Sequence, residues 1–196
     1  MFVVNKSNIQ QSALKSVNLV EELKDFIRVI EDVPQKGFIF RDITTLFANP
    51  KAFTFAIDSL ANRYLSENID YVVCIESTGF VVGSALAYRL GTGIVIVRKP
   101  GKLPYECSSF SYDTKYGSRT FEIQKDALKK DDRVIIADDA LATGDTTLAT
   151  INLVCGFGAE VVEAVFLCEF TSLKGREKLK PYSVNSLIRF DDKVPT

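Results

Sequence analysis

The sequence predicts an α/β fold with a mainly parallel central sheet flanked by helices. Three observations predict it. Short apolar runs alternate with helical patterns along the chain, which is the order of successive βαβ units. The runs at residues 71–75, 94–97, 134–137 and 161–167 are rich in valine and isoleucine, as strands buried on both faces are. The run at 134–137 leads into Asp138-Asp139 and then Ala142-Thr143-Gly144-Asp145-Thr146, so polar groups gather where open α/β sheets hold their ligands.

The elements follow in order. Residues 1–18 are polar and read as a loose tail. Leu19, Val20, Leu23, Phe26, Ile27 and Ile30 recur at helical spacing, and Pro34 ends that helix. A loop runs from 35 to 46. Asn49-Pro50 is a cap followed by a first-turn proline, and Phe53, Ile57, Leu60, Ala61 and Tyr64 are its buried stripe. After strand 71–75 comes the polar turn Glu76-Ser77-Thr78-Gly79, then a small-residue helix closed by Gly91. Strand 94–97 precedes an irregular segment, 98–118, and a returning strand at 120–123. Beyond the motif strand, a helix spans 146–155, a strand 161–167, a short helix 173–179 and a last strand 183–188.

Composition narrows the function. The chain has 196 residues, 46% of them hydrophobic, and a formal net charge of −1. One globular domain over 19–196 is expected, with no global signal for nucleic acid or membrane. The first residues carry no secretory pattern, and a cytoplasmic protein is expected. There is no histidine, which removes histidine acid–base chemistry, serine–histidine triads and histidine-ligated metals. The four cysteines lack CxxC spacing and read as packed or free thiols.

The motif itself suggests chemistry. Backbone N–H groups, two threonine hydroxyls and a helix start form an anion site at 142–146. Carboxylates beside it suit a ligand with hydroxyls and a phosphate, such as a ribose phosphate with a divalent metal. Ordinary strand, turn and cap chemistry would account for any one of these residues alone. The loop is neither a Walker A motif nor a dinucleotide fingerprint. In segment 98–118, Arg98-Lys99-Pro100-Gly101-Lys102-Leu103-Pro104 gathers three cations. It reads either as a solvated loop or as a basic lid closing on phosphates.

The string from Arg133 to Thr147 resembles the ribose-5-phosphate motif of the type I phosphoribosyltransferases. Further segments resemble the adenine phosphoribosyltransferase family: Gly37-Phe-Ile-Phe-Arg-Asp-Ile43 its adenine-binding hood (about 33–46), Glu76-Ser-Thr-Gly-Phe80 its pyrophosphate loop, and Val97-Arg-Lys-Pro-Gly-Lys-Leu-Pro104 the start of its lid (about 98–118). Tyr116-Gly117 with Glu122-Ile-Gln-Lys-Asp-Ala-Leu128, and Thr171 to Leu179, resemble later family segments.

The resemblance implies transfer of ribose 5-phosphate from phosphoribosyl pyrophosphate to adenine, giving AMP and pyrophosphate in purine salvage. It implies Mg²⁺ carried by substrate without a direct protein ligand, reached through water from Asp138 or Asp139, and a homodimer. It assigns Asp138, Asp139, Lys102 and Tyr116 to catalysis. Ala142, Thr143, Gly144, Asp145 and Thr146 would hold the 5′-phosphate. Lys99 and Lys102 would face pyrophosphate with Arg98 supporting them, and Glu76, Ser77 and Thr78 would contribute from the pyrophosphate loop. Phe40 would stack on adenine, with Ile39 and Arg41 reading its edge.

The chain departs from the family at Thr78, where arginine is usual. It departs also at Lys115, where some members carry glutamate, at Asp145, often glycine, and at Ala140, commonly leucine. A different purine base, or a non-catalytic nucleotide sensor, are the competing functions.

Overall fold

A computed structural model describes residues 19–33, 35–114 and 117–191. The tail 1–18, Pro34, Lys115 and Tyr116 lie outside the described residues. The described chain divides after Ala56 into two compact units.

In the first unit the helix expected over residues 19–30 is cut short. Residues 19–22 are helical, a 3-10 turn spans Leu23–Phe26, and β1 (Arg28–Glu31) follows. β1 pairs antiparallel with β2 (Ile39–Asp42), setting Val29 against Arg41 and Ile30 against Phe40. The cause is local: Val29 and Ile30 are β-branched, and a partner strand outweighs weak helix propensity. Thr45 fixes the crossover, accepting the Arg28 N–H at 3.1 Å and donating to the Phe26 carbonyl at 2.6 Å. The expected loop at 35–46 thus contains β2 and the start of α1 (Thr44–Ala48). α2 (Pro50–Ala61) starts as predicted: Asn49 Oδ1 accepts the N–H groups of Lys51 and Ala52 at 3.1 and 3.0 Å.

The second unit is a five-stranded parallel sheet. Its strands are β3 (Tyr71–Ile75), β4 (Gly93–Val97), β7 (Arg133–Leu141), β8 (Glu160–Phe170) and β9 (Val184–Phe190), in the order β4-β3-β7-β8-β9. α3 (Gly79–Leu90) links β3 to β4, and α4 (Asp145–Gly156) links β7 to β8. The chain winds outward in both directions from the β3–β7 pair, and such a switch leaves a crevice at the strands' C-terminal ends. Both faces are buried at the central strands β3, β7 and β8, whereas the edge strand β4 leaves Ile94 and Ile96 exposed on one face. Val73, Ile75, Val134, Ile136 and Phe166 join Ile151 and Val154 of α4 in one core. Gly83 lets α3 lie on Cys74, whose sulfur would sit 2.3 Å from an added Cβ.

The segment expected to be irregular over 98–118 is largely a hairpin. β5 (Cys107–Thr114) pairs antiparallel with β6 (Gly117–Gln124), Cys107 opposite Gln124 and Phe110 opposite Phe121. Its signal is the alternation of Phe110 and Tyr112 with serines. Both aromatics pack on the core, and Tyr112 stacks on Phe121 with ring centroids 6.4 Å apart. Among the described residues of the segment, 98–106 keep the irregular character. A 3-10 turn (Thr171–Leu173) and the short helix α5 (Gly175–Lys178) precede β9.

Candidate active site

The two acidic residues lie within the C-terminal part of β7 rather than after it, because β7 and β8 remain paired through Leu141 and Glu169. Asp138 Oδ1 accepts the Asp139 N–H at 2.9 Å. A Cβ at Gly79 would lie 2.7 Å from Asp138 Oδ1 and 3.1 Å from the Ala137 carbonyl, so only glycine lets the start of α3 approach this carboxylate. Asp138 keeps some surface open to the cleft yet is packed deep among protein atoms. That burial, and then the neighbouring Asp139, hold its carboxyl well above the usual carboxylate range. Burial also pushes the Cys74 thiol behind it up to about 12, with Asp138 adding to the shift.

The turn after β7 encloses a cavity of about 80 Å³ lined by Asp138, Ala140, Thr143, Gly144 and Thr146 among others. Gly144 takes φ +80°, a left-handed conformation that favours glycine, and its carbonyl accepts the Leu148 N–H at 2.9 Å to open α4. The first amides of α4 have no acceptor within the helix and suit an anion. The Asp145 carboxylate is held: Thr143 Oγ1 donates to Oδ2 at 2.7 Å and Lys178 Nζ donates to Oδ1 at 2.5 Å. Burial would raise its pKa, but Lys178 and Thr143 outweigh that and hold it below the usual value.

A second cluster forms at the ends of β3 and β4, next to Asp138 through Gly79. Glu76 accepts the Lys99 N–H at 2.9 Å and the Arg98 guanidinium at 3.4 Å. Arg98 also donates to the Lys102 carbonyl at 3.1 Å and lies over the Phe80 ring. The Lys99 N–H, more than the Arg98 charge, keeps the Glu76 carboxyl below its usual range. Glu76 and Arg98 thus brace the cationic turn 98–102, with Glu122 clasping Gly101 N–H at 3.0 Å from β6. Ser77 and Thr78 lie in the turn before α3, Ser77 exposed and Thr78 half-buried as the residue that precedes the helix.

The structure therefore brings Asp138, Asp139 and residues 142–146 together, and sets Glu76, Ser77, Thr78, Arg98, Lys99 and Lys102 in the neighbouring turns of the same unit. Ile39, Phe40 and Arg41 lie on β2 in the first unit, with Ile39 and Phe40 about half exposed. Tyr116 lies outside the described residues.

Three residues escaped the sequence reading. Tyr112 of the hairpin meets the Thr146 hydroxyl at 3.3 Å. Gly175 packs on the Ala142 carbonyl, 2.3 Å from where a Cβ would stand. Lys178 answers Asp145. The aromatic–serine alternation could have revealed Tyr112; the other two depend on a long-range contact that no local pattern encodes.

Among the described residues no three His, Cys, Asp or Glu groups converge as a metal cage. The oxygen donors at hand are the paired carboxylates of Asp138 and Asp139. Their hard oxygens fit a magnesium ion that keeps most of its waters and a phosphate ligand.

Comparison with known proteins agrees with this geometry. Residues 42–195 match the family model described as a phosphoribosyl transferase domain. The adenine phosphoribosyltransferase of Trichlorobacter lovleyi is 53% identical over 171 residues, covering 87% of this chain and 100% of the relative. The adenine phosphoribosyltransferase crystal structure from Thermoanaerobacter pseudethanolicus superposes with a TM-score of 0.83 at 47% identity, covering 87% of this chain and 99% of that one. The enzyme from Saccharomyces cerevisiae, complexed with an imino-altritol bisphosphate and adenine, superposes with a TM-score of 0.81 at 40% identity, covering 87% and 99%.

Proposed function

The chain belongs to the adenine phosphoribosyltransferase family, and from that premise we propose that it transfers ribose 5-phosphate from phosphoribosyl pyrophosphate to N9 of adenine, releasing pyrophosphate and forming AMP for purine salvage. One observation carries the reading. The Asp138 carboxylate at the end of β7 lines the same cavity as a turn whose amides suit a phosphate, and Asp139 follows it in the chain. The spacing of a ribose 5-phosphate, hydroxyls at one end and phosphate at the other, suits that pairing.

In this reaction the bond from C1′ to pyrophosphate oxygen breaks, with pyrophosphate leaving with the electron pair, the bond from C1′ to N9 forms, and the N9 proton passes to water or to the released pyrophosphate. The sugar becomes cation-like between the two events, so positioning and charge stabilisation matter more than a protein nucleophile. Asp138 and Asp139 accept the ribose hydroxyls and set the ring's orientation. The turn 142–146 anchors the 5′-phosphate. Lys99 and Lys102 face the departing pyrophosphate, on a turn braced by Glu76 and Arg98, with Ser77 and Thr78 alongside. Phe40 stacks on adenine while Ile39 and Arg41 read its edge. Tyr116 would cover the site, as the family resemblance implies. Mg²⁺ bound to the substrate would neutralise diphosphate charge, and Asp138 and Asp139 would hold its waters. The domain extends over 19–196, and the working form is a cytoplasmic homodimer. Among the described residues no helix is long and apolar enough to cross a membrane.

Incubation of the purified chain with Mg²⁺, phosphoribosyl pyrophosphate and each of adenine, hypoxanthine and guanine tests the proposal. AMP and pyrophosphate from adenine alone are expected. IMP or GMP in preference, or no nucleotide from any base, would overturn it.

A further inference from the structure

We propose that Lys178 is a positioning residue of the phosphate subsite, acting through Asp145. The inference rests on the function proposed above for the turn 142–146. That turn carries a carboxylate where it has to receive an anion. Asp145 is not idle there: its Oδ2 accepts the Thr143 hydroxyl at 2.7 Å and so fixes one side of the turn. Left unpaired, however, its charge would repel a phosphate dianion bound a few ångströms away. Lys178 removes that charge with an ion pair of 2.5 Å.

The lysine is delivered by a short helix that is itself tied down. Arg176, two residues earlier, forks onto the buried Glu169 carboxylate, with Nε at 3.0 Å from Oε1 and Nη2 at 2.6 Å from Oε2. It also donates to the Val184 carbonyl at 2.6 Å. At the start of the helix, Gly175 rests on the Ala142 carbonyl. α5 is thereby fixed to β8 and β9 on one side and to the phosphate turn on the other. Lys178 and Asp145 remain partly exposed, at 42% and 35%, so their pair adds little to fold stability. Its consequence is for the ligand's charge.

The test uses the full chain with Lys178→Met alone and with Lys178→Met combined with Asp145→Asn. Ribose 5-phosphate binding is measured by calorimetry, and KM for phosphoribosyl pyrophosphate and kcat by AMP formation. The single variant weakens ribose 5-phosphate binding and raises KM by about 10-fold each, with kcat within about 2-fold. Adding Asp145→Asn, which removes the charge but keeps an acceptor for Thr143, restores both to within about 3-fold of the parent. Unchanged binding in the single variant overturns the proposal. So does a double variant no tighter than the single one, because Lys178 would then serve the phosphate or the fold directly. An unaltered chain that binds no ribose 5-phosphate overturns it as well. The function reading fails on a separate result, absence of AMP from the unaltered chain, and binding of ribose 5-phosphate does not require turnover.

Discussion

Gly175→Ala places a methyl group where the structure has no room. The new carbon would stand 2.3 Å from the Ala142 carbonyl oxygen, 2.8 Å from Leu141 Cδ1 and 3.0 Å from Leu141 Cγ. Ordinary contact between heavy atoms begins near ~3.5 Å, so the backbone of the phosphate turn has to move by roughly 1 Å. Leu141 is fully buried and cannot give way freely. Overpacking of this kind costs about 1–3 kcal/mol. In a chain of this size that lowers Tm by roughly 3–10 °C. Misplacement of a binding element by about 1 Å can cost about 100-fold in catalysis. Calorimetric unfolding and steady-state AMP synthesis give the two readouts. The expected result is a modest loss of Tm with a much larger loss of kcat/KM for phosphoribosyl pyrophosphate. Adenine affinity, measured by equilibrium dialysis, should change little. A variant with parental kcat/KM would refute the claim that Gly175 sets the position of the turn.

Asp138→Asn should reduce AMP synthesis by about 100-fold while stabilising the fold at neutral pH. The folded pKa of this carboxyl is raised, so its contribution to stability is fully present below the unfolded value of about 3.9 and is lost as pH rises through the folded value. Paired melting curves should diverge in favour of the variant from about pH 4 upward; curves that stay parallel would contradict the assignment. Thr78→Arg restores a cation at the start of α3. It should lower KM for phosphoribosyl pyrophosphate or raise kcat, together by about 10- to 100-fold, as initial-rate kinetics would show. Phe40→Ala should raise KM for adenine by about 5- to 100-fold through lost stacking, with KM for phosphoribosyl pyrophosphate held, as a two-substrate rate matrix would reveal.

Much of this was legible because burial writes a strong pattern. The valine- and isoleucine-rich runs marked four of the five parallel strands, and the Asp138-Asp139 pair with Thr143 and Gly144 marked the turn that follows. Asn49-Pro50 marked a helix start through purely local chemistry. Pairing between distant segments was not legible. Ile30 sat in a credible helical stripe, yet with Val29 it forms β1 because Ile39–Asp42 offers a partner strand. The hairpin at Cys107–Gln124 announces itself only by the brief alternation of Phe110 and Tyr112 with serines, too short to outweigh the turn formers that precede it. Arg98 was expected to support the lysines that face pyrophosphate, but its partners, Glu76 and the Lys102 carbonyl, are not written in any local pattern. Lys178 lies 33 residues from the carboxylate it neutralises, and only the packing of α5 on the turn brings the two together.

A crystal structure of the chain grown with AMP addresses the main claim most directly. The account predicts the 5′-phosphate within hydrogen-bonding distance of the amides of residues 142–146, and the ribose hydroxyls on Asp138 and Asp139. Nucleotide bound at another place, with that turn empty, would contradict it.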